Sequence, residues 1–383
     1  MSGELNLPSL ARTTVLLREY ATGVEATDRF GKNDIQPIVL GLFGEVGSVM
    51  SAVKKHKREG SAFPGFRQSV EEEFGDALWY LAALCRRMEV NFEETFSSVV
   101  KNGKYSTAIA ASDVPGWPLS EVVSVTSMPK LDEVLLGLGR SAAGLLTASS
   151  GHQDVSTKLA DFADYFMHAL QASGVSFSEV ITSNLSKTRG RFLTPDETTL
   201  PTFDLNFPAD EQIPQEFEIV IKERKSGQSC LQWNGVFIGD PLTDNILDPD
   251  GYRFHDVFHF AHAAILHWSP TFRALIKHKR KSNPIIDEAQ DSGRAIVVEE
   301  GLSAYIFSRA KQLNFFEGQD GVSFDLLKTI SEFVNGYEVE ACPLKLWENA
   351  VMQGYQAFRL VRANNGGVII GSRANRRIIY KPL

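Results

Sequence analysis

The sequence predicts a mainly α protein, with two related helical units forming a helical bundle and a C-terminal α+β domain with short hairpins. Three observations carry this prediction. Residues from about 10 to 110 read as helices, and Leu78-Trp79-Tyr80-Leu81-Ala82-Ala83-Leu84 is a strongly apolar helical segment. Part of that text returns over residues 125–193. From about residue 205 the pattern changes, and Phe217-Glu218-Ile219-Val220-Ile221 alternates with β-branched residues, as strands do.

Taken in order, Gly44-Glu45-Val46-Gly47-Ser48-Val49-Met50 reads as a helix, and Gly60-Ser61-Ala62-Phe63-Pro64-Gly65 breaks it. A second helix carries Glu71-Glu72-Glu73-Phe74-Gly75-Asp76 and runs on to Leu84. Pro115-Gly116-Trp117-Pro118 marks a linker. The repeat then shows as Leu40-Gly41-Leu42 against Leu136-Gly137-Leu138 and Glu73-Phe74-Gly75-Asp76 against Asp161-Phe162-Ala163-Asp164. Val90-Asn91-Phe92 against Val175-Ser176-Phe177 continues it. On this pairing the second copy is shorter by about one helical turn. In the third part Leu231–Ile238 is expected to pair as one strand with Phe217–Ile221 across a turn at Lys225-Ser226-Gly227-Gln228. Helices follow from Phe254 to Val361, and Gly366–Ile370 with Arg377–Tyr380 closes the chain as a hairpin. The expected domains are therefore 10–110, 125–193 and 205–383.

Composition bounds the function. The 383 residues suffice for two or three domains at roughly 150 residues each. A net charge of −8 argues against stable nucleic-acid binding. Cys85, Cys230 and Cys342 show no metal spacing and read as reduced thiols. The start Met1-Ser2-Gly3-Glu4 lacks the basic and apolar parts of a signal peptide, and no apolar stretch approaches the ~20 residues of a membrane helix. A cytoplasmic protein without a membrane partner is expected.

The chemistry concentrates in the first unit. Glu73 and Asp76 are three residues apart and share a helix face, while Glu45 stands on the preceding helix. Carboxylates offered by two facing helices suit a hard divalent cation. Between them, Lys54-Lys55-His56-Lys57-Arg58 is either a solvated run or a phosphate-binding patch. Likewise the three glutamates from Glu71 are either a solvated helix start or part of a site.

The first unit resembles the MazG-like nucleotide pyrophosphohydrolases of the all-α NTP pyrophosphatase superfamily. The resemblance rests on Gly41-Leu42-Phe43-Gly44-Glu45-Val46-Gly47, Lys54-Lys55 and Glu72-Glu73-Phe74-Gly75-Asp76-Ala77-Leu78-Trp79-Tyr80-Leu81. It implies Mg²⁺ as cofactor, with Mn²⁺ as a substitute, held by an ExxE and an ExxD helix. Carried over by position, the metal ligands are Glu45, Glu73 and Asp76, with Ser48 where the family has its second glutamate. Glu72 or Glu73 would activate water, and Lys54 and Lys55 would contact the triphosphate. In the second unit Ser141 stands at the place of Glu45, but the tail Asn184-Leu185-Ser186-Lys187 resembles the family's Asn-x-x-Lys ending, which the first unit lacks at Val99 and Asn102. The resemblance thus implies a pseudo-dimeric tandem with one composite site, in which Asn184 and Lys187 bind substrate. The chain would be a monomer of that kind or a homodimer.

A second dense spot lies at Tyr252-Arg253-Phe254-His255-Asp256-Val257-Phe258-His259-Phe260-Ala261-His262. His255, His259 and His262 share one helical face, and Glu299 and Glu300 sit inside an apolar helix downstream. These residues are either hydrogen-bonded core groups or a second site for Zn²⁺, Mn²⁺ or Fe²⁺. Lys277-His278-Lys279-Arg280-Lys281 is either a solvated loop or a phosphate contact. The function expected is a Mg²⁺-dependent nucleoside triphosphate pyrophosphohydrolase. The alternatives are a nucleotide sensor with a weakened site, or a metal-dependent phosphohydrolase using His255, Asp256, His259, Glu299 and Glu300.

Overall fold

The computed structural model describes residues 17–99, 105–107, 122–124, 130–147 and 152–383. The expected linker at Pro115–Pro118 lies outside these residues, as does Asn102. The chain divides into two compact units between Leu193 and Thr194.

The first unit is built from α1 (Leu17–Thr27), α2 (Ile35–Glu59), α3 (Phe66–Arg87), α4 (Phe92–Val99), α5 (Leu131–Leu145), α6 (His152–Ala172) and α7 (Phe177–Phe192). Helix α2 buries Ile38, Leu42, Val46, Val49 and Val53, a stripe with the three-to-four spacing of one helix face. Basic residues close it: Lys57 and Arg58, beside His56, complement the carbonyl end of the helix. The Gly60–Gly65 connection lets α3 pack on α2, and α5 packs on α6. Close approach is visible in the glycines. A Cβ at Gly41 would stand 2.3 Å from the Tyr80 ring, and one at Gly137 would stand 2.1 Å from the Tyr165 ring. At the start of α7, Ser176 accepts from the Glu179 N–H. All seven helices contribute to one core, where Phe74, Phe96, Phe162, Phe166 and Phe177 meet mostly edge to face. Each fully buried side chain of this kind is worth roughly 1.5–3 kcal/mol.

Two expectations for this unit need correction. Tyr105–Thr107 is a strand, β1, paired antiparallel with β2 (Val122–Ser124), where helix was expected. The Val-Val and Tyr-Ser-Thr text favours the pleated form. A window within Ile35–Ala62 is also long and apolar enough to cross a membrane by length and composition alone. The α2 stripe instead lies in the helical core, and its opposite residues include exposed glycines and Glu45 at half burial.

The second unit carries an antiparallel sheet in the order β5-β4-β3-β6-β7. Its strands are β3 (Glu216–Glu223), β4 (Ser229–Trp233), β5 (Val236–Leu242), β6 (Gly366–Ser372) and β7 (Arg377–Lys381). Central β3 buries Phe217, Ile219 and Ile221 and pairs with β6 in the register Ile219↔Ile369. The expected single strand over 231–238 is broken. Asn234 and Gly235 have φ of 49° and 77°, the left-handed pair that turns β4 back into β5. Helices α8 (Asp256–Ala261), α9 (Pro270–Ile276), α10 (Pro284–Ile286), α11 (Gly293–Lys311), α12 (Phe324–Phe333) and α13 (Leu344–Asn364) complete the unit. Helix α13 packs against β6, β7 and α8.

In the basic run at 277–281 Lys277 and Lys281 are exposed, but Arg280 is neither solvated nor open to a phosphate. Arg280 is buried, and its guanidinium donates to Asp291 at 2.7 Å and to Glu338 at 2.6 Å. Nearby, buried Asp204 accepts from Arg273 and Arg373. These charges tie loops to the sheet, because a buried ion must be paired.

Candidate functional site

Helices α2, α3 and α7 bring one set of polar side chains together in the first unit. Oxygen atoms of Glu45, Glu73 and Asp76 all lie within 4.8 Å of one another. The helix period explains the sharing of labour on α3. Successive residues point 100° apart, so Glu71, Glu72 and Glu73 cannot face the same neighbour. Glu71 accepts from Ser183 Oγ at 2.5 Å, Glu72 accepts from Lys187 Nζ at 3.1 Å, and Glu73 joins Glu45 and Asp76. The solvated-start alternative therefore does not describe these three glutamates.

Lys187 Nζ also donates to Asp76 Oδ2 at 2.6 Å, and Asn184 Nδ2 donates to Asp76 Oδ1 at 3.0 Å. Asn184 in turn accepts from the Tyr20 hydroxyl at 2.8 Å. The two helices can come this close because residue 75 is glycine: a Cβ there would stand 2.9 Å from Asn184 Cβ. The sequence offered no sign of Tyr20, a single tyrosine on an amphipathic helix.

The electrostatics follow from the crowding. Burial, Asp76 and Glu73 together push the Glu45 carboxyl up to about 8, against a partial opposing pull from Lys187. Burial acts to lower the Lys187 ammonium, but Asp76 and Glu72 outweigh it and hold it above its ordinary value. Burial raises the Tyr80 hydroxyl, helped by Glu45 and Asp76, so this ring borders the same cluster. An all-oxygen donor set with excess negative charge fits a hard cation such as Mg²⁺ or Mn²⁺.

The remaining expected residues fall elsewhere. Ser48 is half-buried one turn beyond Glu45 on α2. Lys54 and Lys55 are exposed nearer the end of α2, and Lys55 Nζ sits 4.2 Å over the Phe63 ring. By helix geometry Lys54 lies about 13 Å beyond Glu45 and on the opposite face. Lys57 pairs with Asp132, and His56 stacks on Phe66 at 4.1 Å. Ser141 bonds its own helix at Leu138. Among the described residues, Asp161 and Asp164 join no group of metal-ligating side chains.

The second unit gathers its own cluster. Helix α8 supplies Asp256 and His259, with His255 just before it and His262 just after. Helix α11 supplies Glu299 and Glu300. His262 Nδ1 lies 2.9 Å from Glu299 Oε1, while Ser269 Oγ and the Thr271 N–H donate to Glu299 Oε2 at 3.0 and 2.9 Å. His259 faces Glu299 through Nδ1 at 3.1 Å and Glu300 through Nε2 at 3.3 Å. His255 Nε2 lies 3.3 Å from Glu300 Oε2, and its Nδ1 lies 2.9 Å from the Tyr252 carbonyl. Burial works to raise Glu299, but the flanking histidines hold it down at about 2.

Residues 34–106 match the family model described as the MazG nucleotide pyrophosphohydrolase domain. Residues 198–383 match the one described as the MazG C-terminal domain. No curated protein and no solved structure matches the chain.

Proposed function

We propose, from the premise that the chain belongs to the MazG-like nucleotide pyrophosphohydrolases and ends in a MazG C-terminal domain, that it hydrolyses nucleoside triphosphates with Mg²⁺. The products are pyrophosphate and a nucleoside monophosphate, and Mn²⁺ substitutes for Mg²⁺. The convergence of Glu45, Glu73 and Asp76 with Lys187 and Asn184 on one spot carries this reading.

Glu45, Glu73 and Asp76 would hold the cation, with Ser48 as a neutral oxygen nearby. Once bound, the cation supplies neutralisation of phosphate charge and a water of lowered pKa. The crowded Glu45 carboxyl holds its proton more tightly than a free one in the metal-free cluster, so metal loading is coupled to proton release. Lys187 neutralises Asp76 and Glu72 and offers the phosphates a compact cation at the same place. Asn184 is oriented by Tyr20 and holds Asp76 in position. Glu72 or Glu73 accepts the proton of the attacking water. Lys54 and Lys55 have at most an outer role.

The reading includes an internal repeat, which makes the site a composite of two repeats within the first unit. The packing of Tyr80 on Gly41 and of Tyr165 on Gly137 supports it. So do the left-handed turns at Glu89 and Gly174 and the following Phe92 and Phe177, which stand at the same spacing from Tyr80 and Tyr165. In this register Asp161 answers to Asp76 and Lys158 to Glu73, with no turn deleted. It replaces the textual pairing of Glu73 with Asp161. The tandem serves as a monomeric pseudo-dimer in the cytoplasm, and buried free thiols at Cys85, Cys230 and Cys342 agree with a reducing compartment.

Ser48 supports a second reading, a slow enzyme or nucleotide sensor, because a hydroxyl contributes no charge to the cation. Pyrophosphate release from a panel of NTPs and dNTPs with Mg²⁺ separates the two. Release lost in Glu73→Gln supports hydrolysis, whereas nucleotide binding without release supports the sensor.

A further inference from the structure

The polar cluster of the second unit is placed in an apolar core, and its geometry is not that of a closed hydrogen-bond network. His259 has no exposed surface, and neither ring nitrogen makes a hydrogen bond. Each nonetheless faces a carboxylate oxygen at 3.1–3.3 Å. A fully buried imidazole set between two carboxylates at these distances, outside hydrogen-bond geometry, is either an imidazolium paired with both or a ligand sharing an ion with one of them.

The two sides of His259 differ. On the Nδ1 side stands Glu299, whose Oε2 is taken by Ser269 and Thr271 and whose Oε1 is shared with His262. This carboxylate is fixed and enclosed. On the Nε2 side stand Glu300 and His255 Nε2, and the Glu300 side chain is 37% exposed. Ligating atoms of His255, Asp256 and His259 come within 4.8 Å of one another. Tyr252 stacks flat on His255 at 4.3 Å and 5°, which holds that imidazole in place.

We propose that the C-terminal unit holds one transition-metal ion of the Zn²⁺, Mn²⁺ or Fe²⁺ class. Its ligands are His255 Nε2, His259 Nε2 and the carboxylates of Asp256 and Glu300. Two imidazoles with carboxylates select such ions over Mg²⁺ and Ca²⁺. Glu299 is the orienting carboxylate behind the histidine, the position from which an outer group sets tautomer and basicity. Glu300, with 37% of its side chain exposed, is the ligand of the four most open to solvent. This ligand set, with two imidazoles, differs from the all-carboxylate set of Glu45, Glu73 and Asp76 in the first unit.

The test titrates the full-length chain, stripped by chelator, with Co²⁺ as a spectroscopic stand-in and with Zn²⁺ in competition. One equivalent of Co²⁺ with the absorption of histidine ligation is expected, displaced by Zn²⁺ and unaffected by Glu73→Gln. Glu300→Gln changes a partly exposed side chain and should fold, the folding of His255→Gln is checked by circular dichroism, and each should weaken that binding by more than about tenfold. Glu299→Gln should weaken it by roughly 10–100-fold. The proposal is overturned if the wild-type chain shows no histidine-ligated Co²⁺, in which case His259 is an imidazolium between two carboxylates. It is equally overturned if folded His255→Gln and Glu300→Gln both keep wild-type affinity.

Discussion

Glu45→Gln should stabilise the metal-free protein while removing its activity. The Glu45 carboxyl is pushed from an ordinary 4.5 up to about 8 by burial and by Asp76 and Glu73. A carboxyl raised in the folded state binds its proton more tightly there than in the unfolded chain. Stability is therefore lost as pH climbs from about 4.5 to about 8, and at 1.36 kcal/mol per pH unit the ceiling is about 5 kcal/mol. Glu45 is only half-buried, and solvent screening reduces this to about 2 kcal/mol. Glutamine keeps the shape and never ionises, so it escapes the loss. In chelator at pH 8 the variant should melt about 4–8 °C above wild type, and at pH 4.5 the two should coincide. Added Mg²⁺ should raise the wild-type midpoint and leave the variant nearly unmoved, because only binding to the native state stabilises it. A melting difference that ignores pH, or a variant less stable at pH 8 in chelator, would refute the crowding argument.

Three further predictions follow from the same geometry. Lys187→Met removes the ammonium beside Asp76 and Glu72, so calorimetry should find Mg²⁺ bound more tightly while KM for the triphosphate rises; Asn184→Ala with Lys187→Ala should lower turnover as well, and unchanged kinetics would exclude both from the site. Gly75→Ala drives a methyl against Asn184 and should cost roughly 1–3 kcal/mol and depress activity, whereas Gly44→Ala meets nothing within 4 Å and should be neutral or stabilising by up to about 1 kcal/mol in thermal melts. Arg280→Met takes from Asp291 and Glu338 the guanidinium they share, leaving Asp291 with Arg273 at 3.8 Å as its cation, and should destabilise the second unit by about 3 kcal/mol in denaturant unfolding, while a near-neutral result would mean the buried pair is dispensable.

The helical frame was legible because its signals are local. The α2 stripe, the Gly60–Gly65 break and the apolar run after Asp76 each follow from neighbouring residues, and so did the acids on α2 and α3. Asn184 and Lys187 were reachable only through the resemblance of their tail, since they lie more than a hundred residues from Asp76 in the chain. Tyr20 was not reachable at all: its role depends on Asn184 arriving opposite it. In the second unit the Asn234-Gly235 turn is masked in the sequence because the apolar residues on both sides run on evenly. Arg280 is misleading for a different reason, since three neighbouring lysines suggest solvent while its partners Asp291 and Glu338 come from elsewhere in the fold.

The most direct measurement is pyrophosphate release by the full-length protein with Mg²⁺, compared between wild type and Glu73→Gln. The account predicts release in step with nucleoside monophosphate in the wild type, and a fall of about a hundredfold or more in Glu73→Gln with folding intact. Equal release by the two proteins, or none by a wild-type chain that binds nucleotide, would contradict a carboxylate-centred hydrolytic site.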